Sequence, residues 1–172
     1  MYQNQNRKND GAYMIKKIIN LFPRDFLVAC YKYVPFTRFK NWFVYRAQEK
    51  FLVAVLGVIT NESNQVLLLK HVYRNEPWGI PGGWMELESP EEGLIREIFE
   101  ETGLSVELTG VSRAIYNKNP NRVDLVFRGR VIGGTFKSCT EVSEICYCDT
   151  DQWPEGLPEV QKKLINEILI SD

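Results

Sequence analysis

Residues 81–104 read PGGWMELESPEEGLIREIFEETGL, and the rest of the chain is best read outward from them. Ser89 is followed by Pro90 and, three positions on, by Glu92. That is a capping box with proline at the first helical position, so a helix is predicted to start there. Gly103, free to adopt a left-handed conformation, is predicted to end it. At about 100° per residue, Leu94, Ile95, Ile98 and Phe99 gather on one side of this helix, and Glu97, Glu100 and Glu101 on the other. One side is expected to be core, the other a carboxylate cluster.

An acidic helix face taken alone is ordinarily just solvated. Here Glu97 and Glu101 stand at i, i+4 and Glu97 and Glu100 at i, i+3, like-charge pairs that each cost an isolated helix roughly a few tenths of a kcal/mol. A cation is expected among them. Oxygen donors on one rigid face suit Mg²⁺ or Mn²⁺, hard ions that accept carboxylate, water and phosphate together. Gly93 lies on the same face and would leave room for ions or substrate, at a helix cost of roughly 1 kcal/mol relative to alanine. Arg96 borders the cluster, placed to clamp a glutamate or to meet a phosphate.

The stretch resembles the Nudix box, G-x5-E-x7-R-E-U-x-E-E-x-G-U with U aliphatic. It matches as Gly82, Glu88, Arg96, Glu97, Ile98, Glu100, Glu101, Gly103 and Leu104, nine defined positions over 23 residues. One departure is visible: family members usually count the five-residue spacing from the second of two glycines, whereas only four residues separate Gly83 from Glu88. The resemblance, to MutT-like and ADP-ribose-pyrophosphatase-like enzymes, implies an α/β (α+β) fold with a mixed sheet sandwiched between helices. It also implies a metal-dependent pyrophosphohydrolase that cleaves the diphosphate of a nucleotide-like substrate. Glu97, Glu100, Glu101 and the Gly82 backbone would hold Mg²⁺ or Mn²⁺, and Arg96 and Glu88 would orient them. The family places its general base variously on the box helix or in a later loop, so Glu97 and Glu141 are candidates, with Glu144 a weaker rival more plainly read as a solvent-facing strand residue.

For the substrate, Trp84 and Tyr116 are candidate stacking surfaces for a base. Trp78, within PWGIPGG, reads as packing. Pro120 stands 16 residues after Leu104, where proline resembles a marker of ADP-ribose-hydrolysing relatives, although NKNPNRVD lacks that branch's fuller signature. His71, the single histidine, reads as structural. Cys146 and Cys148 share a strand face by the period of two and read as small packing residues.

Outside the box, Phe51–Thr60 and Gln65–Val72 are apolar runs around Asn61–Asn64, predicted to form a hairpin. Strands are predicted at Ser105–Asn117, Arg122–Val131 and Ser143–Cys148, and a final helix from Pro158 with Val160, Leu164, Ile165, Ile168 and Leu169 on one face. Residues 1–13 are polar and read as a flexible tail, with Met14 a candidate start. Residues 14–50 read as an amphipathic helical extension ahead of a catalytic domain over 51–172.

With 172 residues, 44% of them hydrophobic, the chain can bury a core without disulfides. Its four cysteines form no CxxC pair and no disulfide framework, which favours a reducing cytoplasm. No apolar run is long enough to span a bilayer, so no stable membrane insertion is expected. The formal charge of −1 hides +6 over residues 14–50 against −8 over 51–172. An acidic body argues against a nucleic-acid partner and fits a carboxylate site that needs cations before it accepts phosphate. The basic extension has three open outcomes: packing on the domain, a homodimer interface, or contact with an anionic surface. The rival reading from another class is a nucleotide sensor that keeps the fold without turnover.

Overall fold

The computed structural model describes residues 51–170 continuously, and in the preceding segment residues 17, 21–25, 28, 41–42, 44–46 and 48–50. The chain divides into two compact units, Met1–Lys50 and Phe51–Asp172. Most of the two helices expected between residues 14 and 34 lies outside the described residues. In the first unit the Lys50 ammonium stands 4.4 Å over the Tyr45 ring.

In the second unit, seven strands and two helices follow in the order β1 (Leu52–Thr60), β2 (Val66–His71), β3 (Trp78–Gly79), β4 (Gly82–Trp84), α1 (Pro90–Thr102), β5 (Leu104–Asn117), β6 (Arg122–Gly134), β7 (Val142–Cys148) and α2 (Glu159–Ile170). The sheet runs β3-β2-β1-β6-β5, with β4 also on β1 and β7 also on β2. It is mixed, because β1 and β6 are parallel from Leu52↔Arg122 to Thr60↔Arg130 while every other ladder is antiparallel.

The hairpin expected of β1 and β2 closes only at its turn. Asn61 Oδ1 accepts from Ser63 N–H and Gln65 N–H at 2.9 Å, Asn61 N–H donates to Gln65 O at 3.0 Å, and Thr60 opposes Val66, the one register pair between the two strands. Both strands are apolar on both faces, so each needs cover on two sides, and they diverge to different partners: β1 to β4 and β6, β2 to β3 and β7.

Period-two alternation then sorts the core. Val55, Ile59, Leu67, Leu69 and Phe127 pack with Leu94 and Ile98 of α1. Val58, Val66, Leu68 and Val126 pack on the other face with Leu164, Ile165 and Ile168 of α2. Each such side chain contributes about 1.5–3 kcal/mol of burial. A mixed sheet between helices results.

Helix α1 begins as its sequence predicts: Ser89 Oγ accepts from Glu92 N–H at 3.3 Å and Glu92 Oε2 accepts from Ser89 N–H at 3.1 Å. Gly103, at φ 73°, closes it through its N–H to Phe99 O at 2.8 Å. Its buried face differs from the expected one. Leu94 and Ile98 are fully buried, but Ile95 and Phe99 are 40% and 59% exposed, while Gly93, Glu101 and Thr102 are buried. The helix is rolled so that its carboxylate side leans onto β4 and does not face bulk water. On α2 the corresponding departure is Val160, which is 78% exposed.

Candidate active site

Two adjacent glycines on β4 prepare the site for two different reasons. Gly82 sits at φ 143°, and a Cβ there would strike the backbone of β1, lying 2.8 Å from Leu56 Cα. Only glycine fits. At Gly83 a Cβ would instead fall inside the Glu97 carboxyl group, so this glycine exists to let Glu97 lie flat over β4.

Arg96 is committed to its neighbours. Its Nη2 donates to Glu88 Oε1 at 2.7 Å, its Nε to both Glu88 oxygens at 3.2 Å, and its Nη1 to Glu97 Oε1 at 3.0 Å and Glu100 Oε2 at 3.1 Å. A longer contact of 3.4 Å reaches Trp84 O. The hydrogen bond from Arg96 is the main reason the Glu88 carboxyl is held below the usual range. Of the two roles open to Arg96, the geometry gives it the clamp. Glu88 in turn lies against Gly93, where a Cβ would stand 3.1 Å from Glu88 Oε1, so the space at Gly93 is filled by that carboxylate and not by an ion.

Glu101 is the most unusual member of the group. It is only 8% exposed, and its Oε2 is buried without a hydrogen-bond partner among the described residues. Burial, then the Glu97 charge, pushes its carboxyl up to about 7; Glu141 adds to this, while the Gly82 N–H and the positive Arg74 oppose it. Burial also raises Glu97, against the pull of Arg96. Crowded, desolvated carboxylates of one sign, with an unpartnered buried oxygen, are the donor set a hard divalent cation satisfies. As they stand, no three His, Cys, Asp or Glu side chains among the described residues are positioned to enclose an ion. Arg96 holds Glu97 and Glu100 aside, so an ion held by those two carboxylates would have to displace the guanidinium.

The NUDIX domain profile matches residues 50–168. The chain belongs to the Nudix family. It is 35% identical over 109 residues to a MutT-like protein of Streptomyces ambofaciens, covering 63% of this chain and 70% of that one. It is 34% identical over 114 residues to an ADP-ribose pyrophosphatase of Methanocaldococcus jannaschii, covering 60% of this chain and 64% of its relative's length. Among solved structures, an ADP-ribose pyrophosphatase from Streptococcus suis superposes with a TM-score of 0.59 at 26% identity, covering 72% of this chain and 95% of that one. Nudix enzymes are hydrolases of pyrophosphate bonds, and this chain is one of them; divalent-metal dependence is general in the family.

Around this Nudix helix the remaining candidates separate. Glu141 reaches the cluster from the β6–β7 loop, its charge acting on both Glu97 and Glu101. That loop is pinned by Lys137 N–H to Thr102 O at 2.9 Å, and the Cys139 sulfur accepts from Glu141 N–H at 3.4 Å and Val142 N–H at 3.3 Å. Glu144 points away. It is ion-paired to Lys70 Nζ at 2.9 Å on the α2 side of the sheet, where its charge is felt by Cys146. A cavity of about 420 Å³ borders the cluster at Glu100 and is lined also by Phe99, Gly103, Thr135, Lys137 and Cys139.

Trp84 and Tyr116 do not converge. Trp84 opposes Ala54, which opposes Asp124, which opposes Ile115, so all four project to one face and Tyr116, the next residue, to the other. Both aromatics are exposed. Trp84 carries the Arg122 guanidinium 5.7 Å from its ring centroid, and Arg122 Nε is ion-paired to the buried Asp124 Oδ1 at 2.5 Å, with Asn117 Nδ2 donating to Oδ2 at 2.8 Å. Tyr116 donates to Asn121 Oδ1 at 2.6 Å. Pro120 lies in the turn between β5 and β6.

Trp78 is buried in the α2-side core. Cys146 and Cys148 pack there too, their sulfurs 2.8 Å apart. His71 is 2% exposed, neither ring nitrogen finds a partner among the described residues, and burial lowers its pKa to about 4. Sequence reasoning missed Arg74, whose charge acts on Glu101, and the Arg122–Asp124–Asn117 group. The i, i+2 alternation of Arg122 and Asp124 was a visible signal for the latter; a single arginine in a loop gives none.

Proposed function

We propose that this chain hydrolyses the diphosphate linkage of a nucleoside diphosphate joined to a further group, ADP-ribose, another nucleotide sugar or a nucleoside triphosphate, with Mg²⁺ or Mn²⁺ as cofactor. The observation that carries the reading is the buried, unpartnered Glu101 oxygen facing the charges of Glu97 and Glu141. A carboxylate kept this dry is costly to leave charged, and the cost is recovered when a cation arrives.

Glu97, Glu100, Glu101 and the Gly82 backbone are the groups that would hold the ions; Arg96 and Glu88 position the first two. When bound, divalent ions neutralise the diphosphate and activate a water for in-line attack. Glu141, on a loop fixed at Lys137 and Cys139, is the favoured proton acceptor, since Glu97 is needed as a ligand and is held by Arg96. Trp84 and Tyr116 are alternative stacking surfaces for the base, one on each face. Free thiols at Cys139, Cys146 and Cys148 suit a reducing cytoplasm, and no helix among the described residues is long and apolar enough to cross a membrane.

The test is a panel of ADP-ribose, nucleotide sugars, nucleoside triphosphates and their oxidised forms, with Mg²⁺ or Mn²⁺, scored for nucleoside monophosphate or a phosphorylated fragment. Glu100→Gln and Glu101→Gln are expected to abolish release. Full activity in both variants refutes the assigned site, and saturable binding with no turnover by the wild type identifies a sensor.

A further inference from the structure

Strand β7 is an edge: among the described strands it pairs with β2 alone, from Val142 opposite His71 to Cys148 opposite Val66. Its first residue follows Glu141 directly, so tension in the strand is felt where the favoured proton acceptor is held. Toward its other end stand Cys146 and Cys148, opposite Leu68 and Val66. The period of two turns both thiols to the α2 side, where they pack half-buried against the core.

The carboxylate site uses neither thiol, and packing alone does not call for two sulfurs in hydrogen-bond contact at 2.8 Å. Two chemistries use a close pair of thiols: a soft metal and a disulfide. A tetrahedral thiolate metal site needs further ligands, and no third His, Cys, Asp or Glu among the described residues joins the pair. A disulfide needs only the pair. At roughly 3.4 Å of rise per residue, positions i and i+2 place their Cα atoms roughly 6.8 Å apart, the upper limit of the range of about 4.4–6.8 Å that disulfides span. The bond is within reach only if the strand is drawn in, and a bridge made under that tension is readily reduced again. An edge strand is where such a deformation is tolerated, since a single ladder has to yield.

We propose that Cys146 and Cys148 form a reversible dithiol–disulfide site, and that closing the bridge slackens the β7–β2 ladder and slows the enzyme through the Glu141 segment. The oxidant is a small-molecule disulfide such as glutathione disulfide. The Cys148 thiolate, at the strand end beside exposed Asp149, attacks one sulfur of the oxidant. A bond to Cys148 forms, the external S–S bond breaks, and the thiolate released takes a proton equivalent to the one Cys148 gave up. The Cys146 sulfur, losing its proton to solvent, then attacks Cys148 Sγ; the internal bond forms and the second external thiolate leaves and is protonated. Two electrons pass from the protein to the oxidant, which departs as two thiols. Burial, then the neighbouring Cys148, pushes the Cys146 thiol up, which makes Cys146 the poorer first nucleophile and gives it the second attack. The effect on turnover rests on the pyrophosphohydrolase reading above; the bridge itself does not.

The experiment treats the full chain with glutathione disulfide, as wild type, Cys146→Ser and Cys148→Ser, then alkylates it and maps the peptides by mass spectrometry. In the wild type both residues should escape alkylation without carrying glutathione, and dithiothreitol should restore both. Cys146→Ser should instead accumulate glutathione on Cys148, and Cys148→Ser should keep Cys146 free. Amide exchange in β2 and β7 should quicken in the oxidised wild type, and turnover on whichever substrate the panel identifies should fall on the order of tenfold and recover with dithiothreitol. Cys148→Ser should show neither change. Both thiols left alkylatable in the wild type, bridges only to Cys30, to Cys139 or between chains, or an internal bridge with amide exchange unchanged would each overturn the proposal. A bridge with faster exchange in a protein that turns over nothing upholds the site while the hydrolase reading falls; turnover that never responds to the bridge does the reverse.

Discussion

Replacing Glu101 by glutamine should stabilise the metal-free protein at alkaline pH and leave it unchanged in acid. The Glu101 carboxyl rises from the ordinary 4.5 to about 7 in the folded state. Below 4.5 it is protonated whether the chain is folded or unfolded and costs nothing. Between 4.5 and 7 the folded state holds a proton that the unfolded state has released, so stability falls as pH rises through that window. Above it, the folded protein carries a buried charge that disfavours folding by at most roughly 3 kcal/mol. Glutamine keeps the acceptor for Gly82 N–H and removes the charge. Urea denaturation of both proteins in EDTA, at pH 4.5 and pH 8.5, should give equal stabilities at the first and a more stable variant, by about 1–3 kcal/mol, at the second. Adding Mg²⁺ or Mn²⁺ should then stabilise the wild type more than the variant, because only the wild type supplies the full ligand set. Equal destabilisation by the substitution at both pH values would refute the claim that Glu101 is a desolvated charge awaiting a cation.

Gly83→Ala should leave the fold intact, since the atoms displaced belong to the Glu97 carboxyl, yet lower turnover on the order of a hundredfold through misplacement of that group; circular dichroism and steady-state rates check both halves. Arg96→Lys keeps the charge but loses the fork that joins Glu88, Glu97 and Glu100, and should cost about 10–100-fold in activity or Mn²⁺ affinity. Because Trp84 and Tyr116 face opposite sides of the sheet, only one of Trp84→Ala and Tyr116→Ala should raise KM, by an amount equivalent to about 1–3 kcal/mol; equal effects of both would contradict a single stacking surface.

Local signals made much of this architecture legible. The Ser89–Glu92 box and Gly103 fixed both ends of α1, and β5 and β7 begin within one residue of expectation, because capping and period-two alternation are properties of contiguous residues. What escaped depended on distant partners. Strands β3 and β4 are two and three residues long, too short to show a period, and sit in a Pro- and Gly-rich run that reads as turn. Strand β6 runs on past Val131 through Gly134, paired to the start of β5. The β1–β2 divergence reflects competition from β6, 70 residues away along the Thr60↔Arg130 pairing. The exposure of Ile95 and Phe99 has the same origin: helical periodicity gives the spacing of a stripe, and contact with β4 decides which way it is rolled. The gathering of Glu97, Glu100 and Glu101 on one side of α1 was readable from their spacing, whereas the commitment of Arg96 and the filling of the space at Gly93 by Glu88 exist only in three dimensions.

The most direct test is a crystal grown with Mn²⁺ and imaged at the manganese absorption edge. Anomalous peaks should lie within bonding distance of Glu97, Glu100 and Glu101, with Glu97 and Glu100 released from Arg96 and the Gly82 carbonyl nearby. Glutamates still paired to the guanidinium, with manganese elsewhere or absent at saturating concentration, would contradict the account.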